Sequence, residues 1–261
     1  MSSHNPSHDF VTLGGTVIGA DHRRALRNNQ DGLAFGRGDG WLVAAVTDGC
    51  SSGRASEVGA KLGAAYLVTL TLDVAPRALD AQAAAAGVAS GMLDWLGDVA
   101  SAFGTARREA AIADMLLFTF LVVAVGPTRA FVLGVGDGVV SLNGLTLTLD
   151  AGESNAPPYI AYGLLGPAPL PVVHVDVPAD EVRTLAIATD GALELLSHAR
   201  EPLADGAPQR ALDQFEEDAA YTRNPSLVQK RLVVIGERNG RLHDDTTLAV
   251  VRRKEAPSCM S

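Results

Sequence analysis

Asp-Gly dipeptides stand repeatedly at the edges of apolar runs in this chain. AAVTDGCSSG puts Asp48-Gly49 after Val43–Thr47, LGVGDGVV puts Asp137-Gly138 after Phe131–Val135, and LAIATDGALEL puts Asp190-Gly191 after Leu185–Thr189. RNNQDGLAF puts Asp31-Gly32 just before another such run, and RLHDDTTLAVV sets Asp244-Asp245 before Thr247–Val251. A single pair of this kind is a turn, because Asp bonds its own backbone and Gly accepts a positive φ. The repetition is the stronger constraint. If the runs are strands whose edges converge, several carboxylates share one site.

Carboxylates packed that closely repel each other, so the cluster implies cations. Ligation by carboxylates, a carbonyl and water suits Mg²⁺ or Mn²⁺ rather than Zn²⁺. Glycine after the ligand lets its own carbonyl come close to a metal. Two such ions clamp the oxygens of an in-line displacement at phosphorus. Phosphate monoesters are among the hardest substrates to hydrolyse, needing accelerations up to about 10²¹.

The rest of the pattern sets these segments in blocks. WLVAAVT, at 41–47, is an almost unbroken apolar run, as in a strand buried on both faces. Strands are also expected at Val11–Gly19, Leu33–Gly36, Leu116–Val125, Ala130–Val135, Val172–Val177, Thr184–Thr189 and Thr246–Arg252. Val139–Leu142 and Thr146–Leu149 form a hairpin across Asn143-Gly144. Helices are expected at Ser52–Leu72, Pro76–Phe103, Ala192–Ser197, Gln209–Tyr221 and Pro225–Gly236. His22–Asp31 reads as a loop, and the proline-rich stretch 151–171 as a long surface loop. Strands in blocks and helices in blocks favour layered α+β architecture over βαβ alternation. Residues 1–9 are expected to be a disordered leader, 10–253 one catalytic domain, and 254–261 a frayed tail.

Composition narrows the function. The net charge of −9 argues against non-specific nucleic-acid binding and against an anionic membrane surface. The longest strongly apolar stretch, Met115 to Gly126, is 12 residues, where a spanning helix needs about 20. The N-terminal MSSHNPSHDF lacks the apolar segment of a signal peptide. Two cysteines, Cys50 and Cys259, make no disulfide framework, so a reducing, cytoplasmic setting is expected.

In order along the chain, RNNQD, VTDGCSSG, GVGDG, ATDGALE and HDDTT resemble the signature segments of the metal-dependent protein phosphatases of type 2C (the PPM family). The resemblance runs from about Val11 to Val251. GADHRRALRNNQD and NAPPYIAYGLLG look like a bacterial branch of that family. It implies a four-layer α/β/β/α sandwich, two central antiparallel sheets flanked by helices. It further implies a protein serine/threonine phosphatase that attacks phosphomonoesters with a metal-bridging hydroxide, opposing a Ser/Thr kinase on a phosphorylated protein.

Carried over by position, Asp48 bridges two Mn²⁺ or Mg²⁺ ions, the Gly49 carbonyl binds one, and Asp190 and Asp244 bind the other. Asp137 serves a third, weaker site. Asp31 and Gln30 have supporting roles near the metals, and Arg27 or His22 orients the phosphate. Gln30 stands where many members have Glu. Cys50 stands where animal members have a His that acts as general acid. Arg27 is one residue closer to the acidic position than usual. These departures are where a pseudophosphatase, a phosphoprotein-binding signalling module, would begin. A third reading takes GCSSG as a nucleophile elbow with Ser51 as nucleophile and Asp190 and His243 as partners, giving an acyl hydrolase.

Overall fold

The computed structural model describes residues 9–152, 157–199, 201, 210–238 and 242–254. Among them two antiparallel five-stranded sheets form. One has the order β1 (Phe10–Val17), β10 (Thr246–Arg253), β9 (Thr184–Ala188), β6 (Gly138–Leu142), β7 (Leu145–Leu149). The other has the order β2 (Asp31–Gly38), β3 (Trp41–Gly49), β4 (Phe118–Val125), β5 (Arg129–Val135), β8 (Val172–Pro178).

The alternation of side chains along a strand explains the layering. In β3, Leu42, Ala44 and Val46 join Leu121, Val123 and Ile187 in a core between the sheets. Trp41, Val43 and Ala45 point the other way, into a core under the helices α2 (Ser56–Val74) and α3 (Ala81–Ala102). That is why this run carries no polar face. The first sheet is covered in turn by α5 (Leu193–Ser197), α6 (Asp213–Glu217), α7 (Ala219–Arg223) and α8 (Ser226–Val233), through Leu195, Phe215, Val228 and Leu232. The expected four-layer α/β/β/α sandwich is the observed fold.

Close approach matters most in α2. A Cβ on Gly59 would sit 1.9 Å from the carbonyl oxygen of Met115. Glycine lets the helix lie directly against the π-helical turn Ile112–Leu116. That turn follows α4 (Arg108–Ala111), and it delays β4 to Phe118, two residues later than the apolar run alone suggests.

Other boundaries also differ from expectation. The Pro76–Phe103 helix starts only at Ala81, because the Asp80 side chain accepts from Ala83 N and caps it there. The segment expected as loop from His22 begins with a short helix, α1 (Ala20–Arg24). The expected Gln209–Tyr221 helix is broken at Asp218, which is extended and caps α7; Gln209 itself lies outside the described residues. Stretch 151–171 is not wholly a surface loop: Ile160–Leu164 forms a 3₁₀ turn, and Ile160 and Ala161 are buried in the core under α3. Asn143-Gly144, both at positive φ, closes the expected hairpin. The expected leader lies outside the described residues except for Asp9, as does the tail beyond Lys254. Among the described residues, no helix is long and apolar enough to cross a membrane.

Candidate metal centre

Strand register brings the acidic residues to one edge. Asp31 opens β2 and lies opposite Asp48 near the end of β3. Ala188, the last residue of β9, pairs with both Val139 of β6 and Leu248 of β10. Asp190, Asp137 and the Asp244-Asp245 pair therefore leave their strands together. Backbone bonds lock the loops: Gly49 N donates to Gln30 O, Ala20 N to Leu242 O, and Thr189 N to Thr247 O.

The electrostatics record the convergence. Burial lifts the Asp48 carboxyl well above the usual range, and Asp31, Asp190, Asp244 and Asp137 add repulsion in that order. Burial also lifts Asp190 to about 7, with Asp137 and Asp244 next in effect. Asp31 is raised first by burial, against hydrogen bonds from Thr247 and Thr189. Burial and Asp244 raise Asp137, and Asp244 is raised mainly by burial.

Two observations fit this donor set to a hard divalent cation. Buried carboxylate oxygens Oδ1 of Asp137 and of Asp190 have no hydrogen-bond partner. Anionic oxygens left so are costly unless a cation meets them. A Cβ on Gly49 would lie 2.9 Å from Gln30 O and 3.0 Å from the Ser56 backbone, so only glycine fits between them.

Gln30 is buried at 2% exposure, donates through Nε2 to Ser56 Oγ, and leaves Oε1 unpartnered. The Arg27 guanidinium donates to the carbonyls of Ser51 and, at 2.7 Å, of Gly53. It braces the loop between β3 and α2. His22 Nδ1 lies 2.8 Å from Asp245 Oδ2. The same Asp245 carboxylate accepts from Gly19 N at 2.7 Å and Gln30 N at 2.6 Å, and Asp245 N donates to Asp244 Oδ1. The His243–Asp190 pairing of the elbow reading does not form: His243 Nδ1 is bonded to Glu194 at 2.8 Å, and Asp190 lies among the carboxylates.

Cys50 is a free, half-buried thiol. Burial alone would raise it, but hydrogen bonds with Ser52, Tyr159 and the backbone outweigh that and lower its pKa. Cys259 lies outside the described residues.

Sequence reasoning missed Asp245 as the buried anchor, Glu194 as the partner of His243, and Tyr159 beside Cys50. The doubled acid in HDDTT was a usable signal for the first. Glu194 and Tyr159 carried none, since their partners are brought to them by the fold.

The sequence profile described as Protein phosphatase 2C matches residues 18–232. No curated protein matches the chain in sequence. Solved structures do match it in fold. The serine/threonine phosphatase of S. agalactiae is 14% identical with a TM-score of 0.59, the alignment covering 94% of this chain and 100% of that one. PppA, a key regulatory component of the T6SS in Pseudomonas aeruginosa, is 16% identical with a TM-score of 0.53, over 94% and 98%. A C. elegans sex determining protein is 14% identical with a TM-score of 0.56, over 93% of this chain and 64% of that one.

Proposed function

Because the chain belongs to the type 2C protein phosphatase family, we propose that it is a metal-dependent phosphatase of phosphoserine and phosphothreonine in proteins, using two Mn²⁺ or Mg²⁺ ions. The observation that carries this reading is the convergence of Asp31, Asp48, Asp137, Asp190 and Asp244 on one edge, with unpartnered oxygens on Asp137 and Asp190.

In this reading Asp48 would be shared by the two ions, and the Gly49 carbonyl would be a ligand to one of them. Asp190 and Asp244 would hold the other, and Asp137 would serve a third, weaker ion. When bound, the ions supply an activated water and neutralise charge on the phosphoryl oxygens. The chain's own part is to hold these oxygens rigidly. Asp31 is fixed by the Thr189 hydroxyl at 2.8 Å, and Gln30 ties the site to α2 through Ser56. Arg27, spent on two backbone carbonyls, fits a bracing role better than phosphate binding.

Residues 10–253 act in this reading as one catalytic unit in the cytoplasm, where the free Cys50 thiol is at home. The substrate is a phosphorylated protein, and an opposing Ser/Thr kinase follows from the chemistry.

The test is hydrolysis of p-nitrophenyl phosphate and of a phosphothreonine peptide by the purified protein, in EDTA, Mg²⁺ or Mn²⁺, beside Asp190→Asn. Activity that requires metal and is lost in the variant supports the reading. A folded protein inactive with every metal overturns it in favour of the pseudophosphatase.

A further inference from the structure

His22 stands apart from the carboxylates in one respect: its Nδ1 is held by a buried carboxylate whose two oxygens also meet backbone amides. Asp245 is 2% exposed, and both its oxygens are engaged by backbone N–H groups, Oδ1 by Gly19 and Oδ2 by Gln30. A carboxylate that accepts from two amides is an acceptor toward the third group as well. The proton in the 2.8 Å contact therefore sits on Nδ1 of His22. With the ring in its neutral form, Nε2 then carries the lone pair. Metal-ligating imidazoles are prepared in this way, by a carboxylate that fixes the tautomer and turns the other nitrogen outward.

The surroundings agree. One ligand atom from each of His22, Asp244 and Asp245 falls within 4.8 Å of the others. His22 also lines a cavity of about 390 Å³ together with Asp190, Gly191, Glu194 and Asp244. The Asp244 carboxylate spends Oδ1 on Asp245 N. The ring is half-buried, with 14% of its side chain exposed, and it is carried on α1, whose entry is pinned by Ala20 N and Asp21 N to the carbonyls of Leu242 and His243.

We propose that His22 Nε2 is a nitrogen ligand to the ion held by Asp190 and Asp244, with Asp245 as the carboxylate that orients it. The proposal rests on the metal-centre reading above and adds one donor to it. An imidazole beside carboxylates makes a mixed nitrogen–oxygen site, which selects first-row transition ions over Mg²⁺.

Mn²⁺ alone is the probe. Electron spin-echo envelope modulation of the Mn²⁺-loaded protein should show ¹⁴N coupling from a bound imidazole. The coupling should vanish in His22→Gln and persist in His243→Gln, whose imidazole lines the same cavity. By calorimetric titration, His22→Gln should weaken Mn²⁺ binding about tenfold and Mg²⁺ binding less than twofold. Circular dichroism checks that each variant is folded. No ¹⁴N coupling in the native protein overturns the proposal, as does coupling that survives His22→Gln or an equal loss for both ions. Phosphate release without nitrogen coupling removes this ligand and leaves the phosphatase reading. Nitrogen coupling without phosphate release does the reverse.

Discussion

Asp31 and Asp48 are direct cross-strand partners in the β2–β3 ladder. Like charges directly opposite each other destabilise a sheet. Both carboxyls are held well above the ordinary range, first by burial. The metal-free fold therefore binds more protons than the unfolded chain above about pH 4. Its stability is greatest below the unfolded value and falls as pH rises through the folded values, which for Asp190 is about 7. Calorimetry in EDTA should show the melting temperature dropping by several degrees from pH 5 to 8, at about 2–4 °C per kcal/mol for a chain of this size. Mn²⁺ should reverse the drop. A profile in EDTA that is flat or rises with pH contradicts this account.

Asp190→Asn removes one charge from the cluster. The metal-free variant should melt a few degrees higher at pH 8 than the parent. Its metal-dependent phosphate release should fall by more than about 100-fold, the upper end of what loss of an indirect metal contact costs. Stability gained where function is lost is the usual trade at a strained site. A variant both less stable and still active speaks against the carboxylate as a ligand.

Arg27→Ala unties the carbonyls of Ser51 and Gly53. We expect a loss of about 1–2 kcal/mol, read as a lower denaturation midpoint in urea. Arg27→Lys should not restore it, because an ammonium lacks the planar fork that reaches two carbonyls together. If Arg27→Ala instead raises KM sharply with stability unchanged, the guanidinium binds the phosphate after all.

Helix propensity favours alanine over glycine by about 1 kcal/mol, so Gly59→Ala would look stabilising from sequence alone. With its Cβ 1.9 Å from Met115 O, the substitution should instead cost several kcal/mol and lower the melting temperature. Gly144→Ala is a useful contrast, as nothing lies within 4 Å of its Cβ. Its cost should be confined to the positive φ of 89°. Equal effects at the two sites would show that packing on Ile112–Leu116 does not matter.

Hydrogen bonds with Ser52 and Tyr159 hold Cys50 below the ordinary thiol range despite its burial. At pH 7.5 iodoacetamide should alkylate Cys50 faster than an unperturbed, equally exposed thiol, and Tyr159→Phe should slow the reaction severalfold. Peptide mass mapping against time separates Cys50 from Cys259. An unchanged rate in Tyr159→Phe would remove the phenol from the account.

Much of this architecture was legible in the sequence because it rests on periodicity. β3 and β4 are apolar on both faces and could be read as fully covered strands, and Asn143-Gly144 names its own turn. Boundaries set by a single side chain were harder. Asp80 caps α3 four residues after Pro76, the residue that the sequence suggests as the start. Ile160 and Ala161 sit in a proline-rich stretch whose burial depends on α3 lying above it. At the site, the acidic residues were readable as strand-edge dipeptides. Arg27 was not, because the target of a long cation is decided by which carbonyls the fold brings within reach. Asp245 was overshadowed by Asp244, since adjacent identical residues give no local sign of which one turns inward.

The acidic edge draws on both sheets: Asp31 and Asp48 belong to β2 and β3, while Asp190, Asp244 and Asp245 flank β9 and β10. Neither sheet by itself holds a complete ligand set. In the proposed site, an ion would find its full ligand set only where the two sheets meet across the central core of Val46, Leu121 and Ile187.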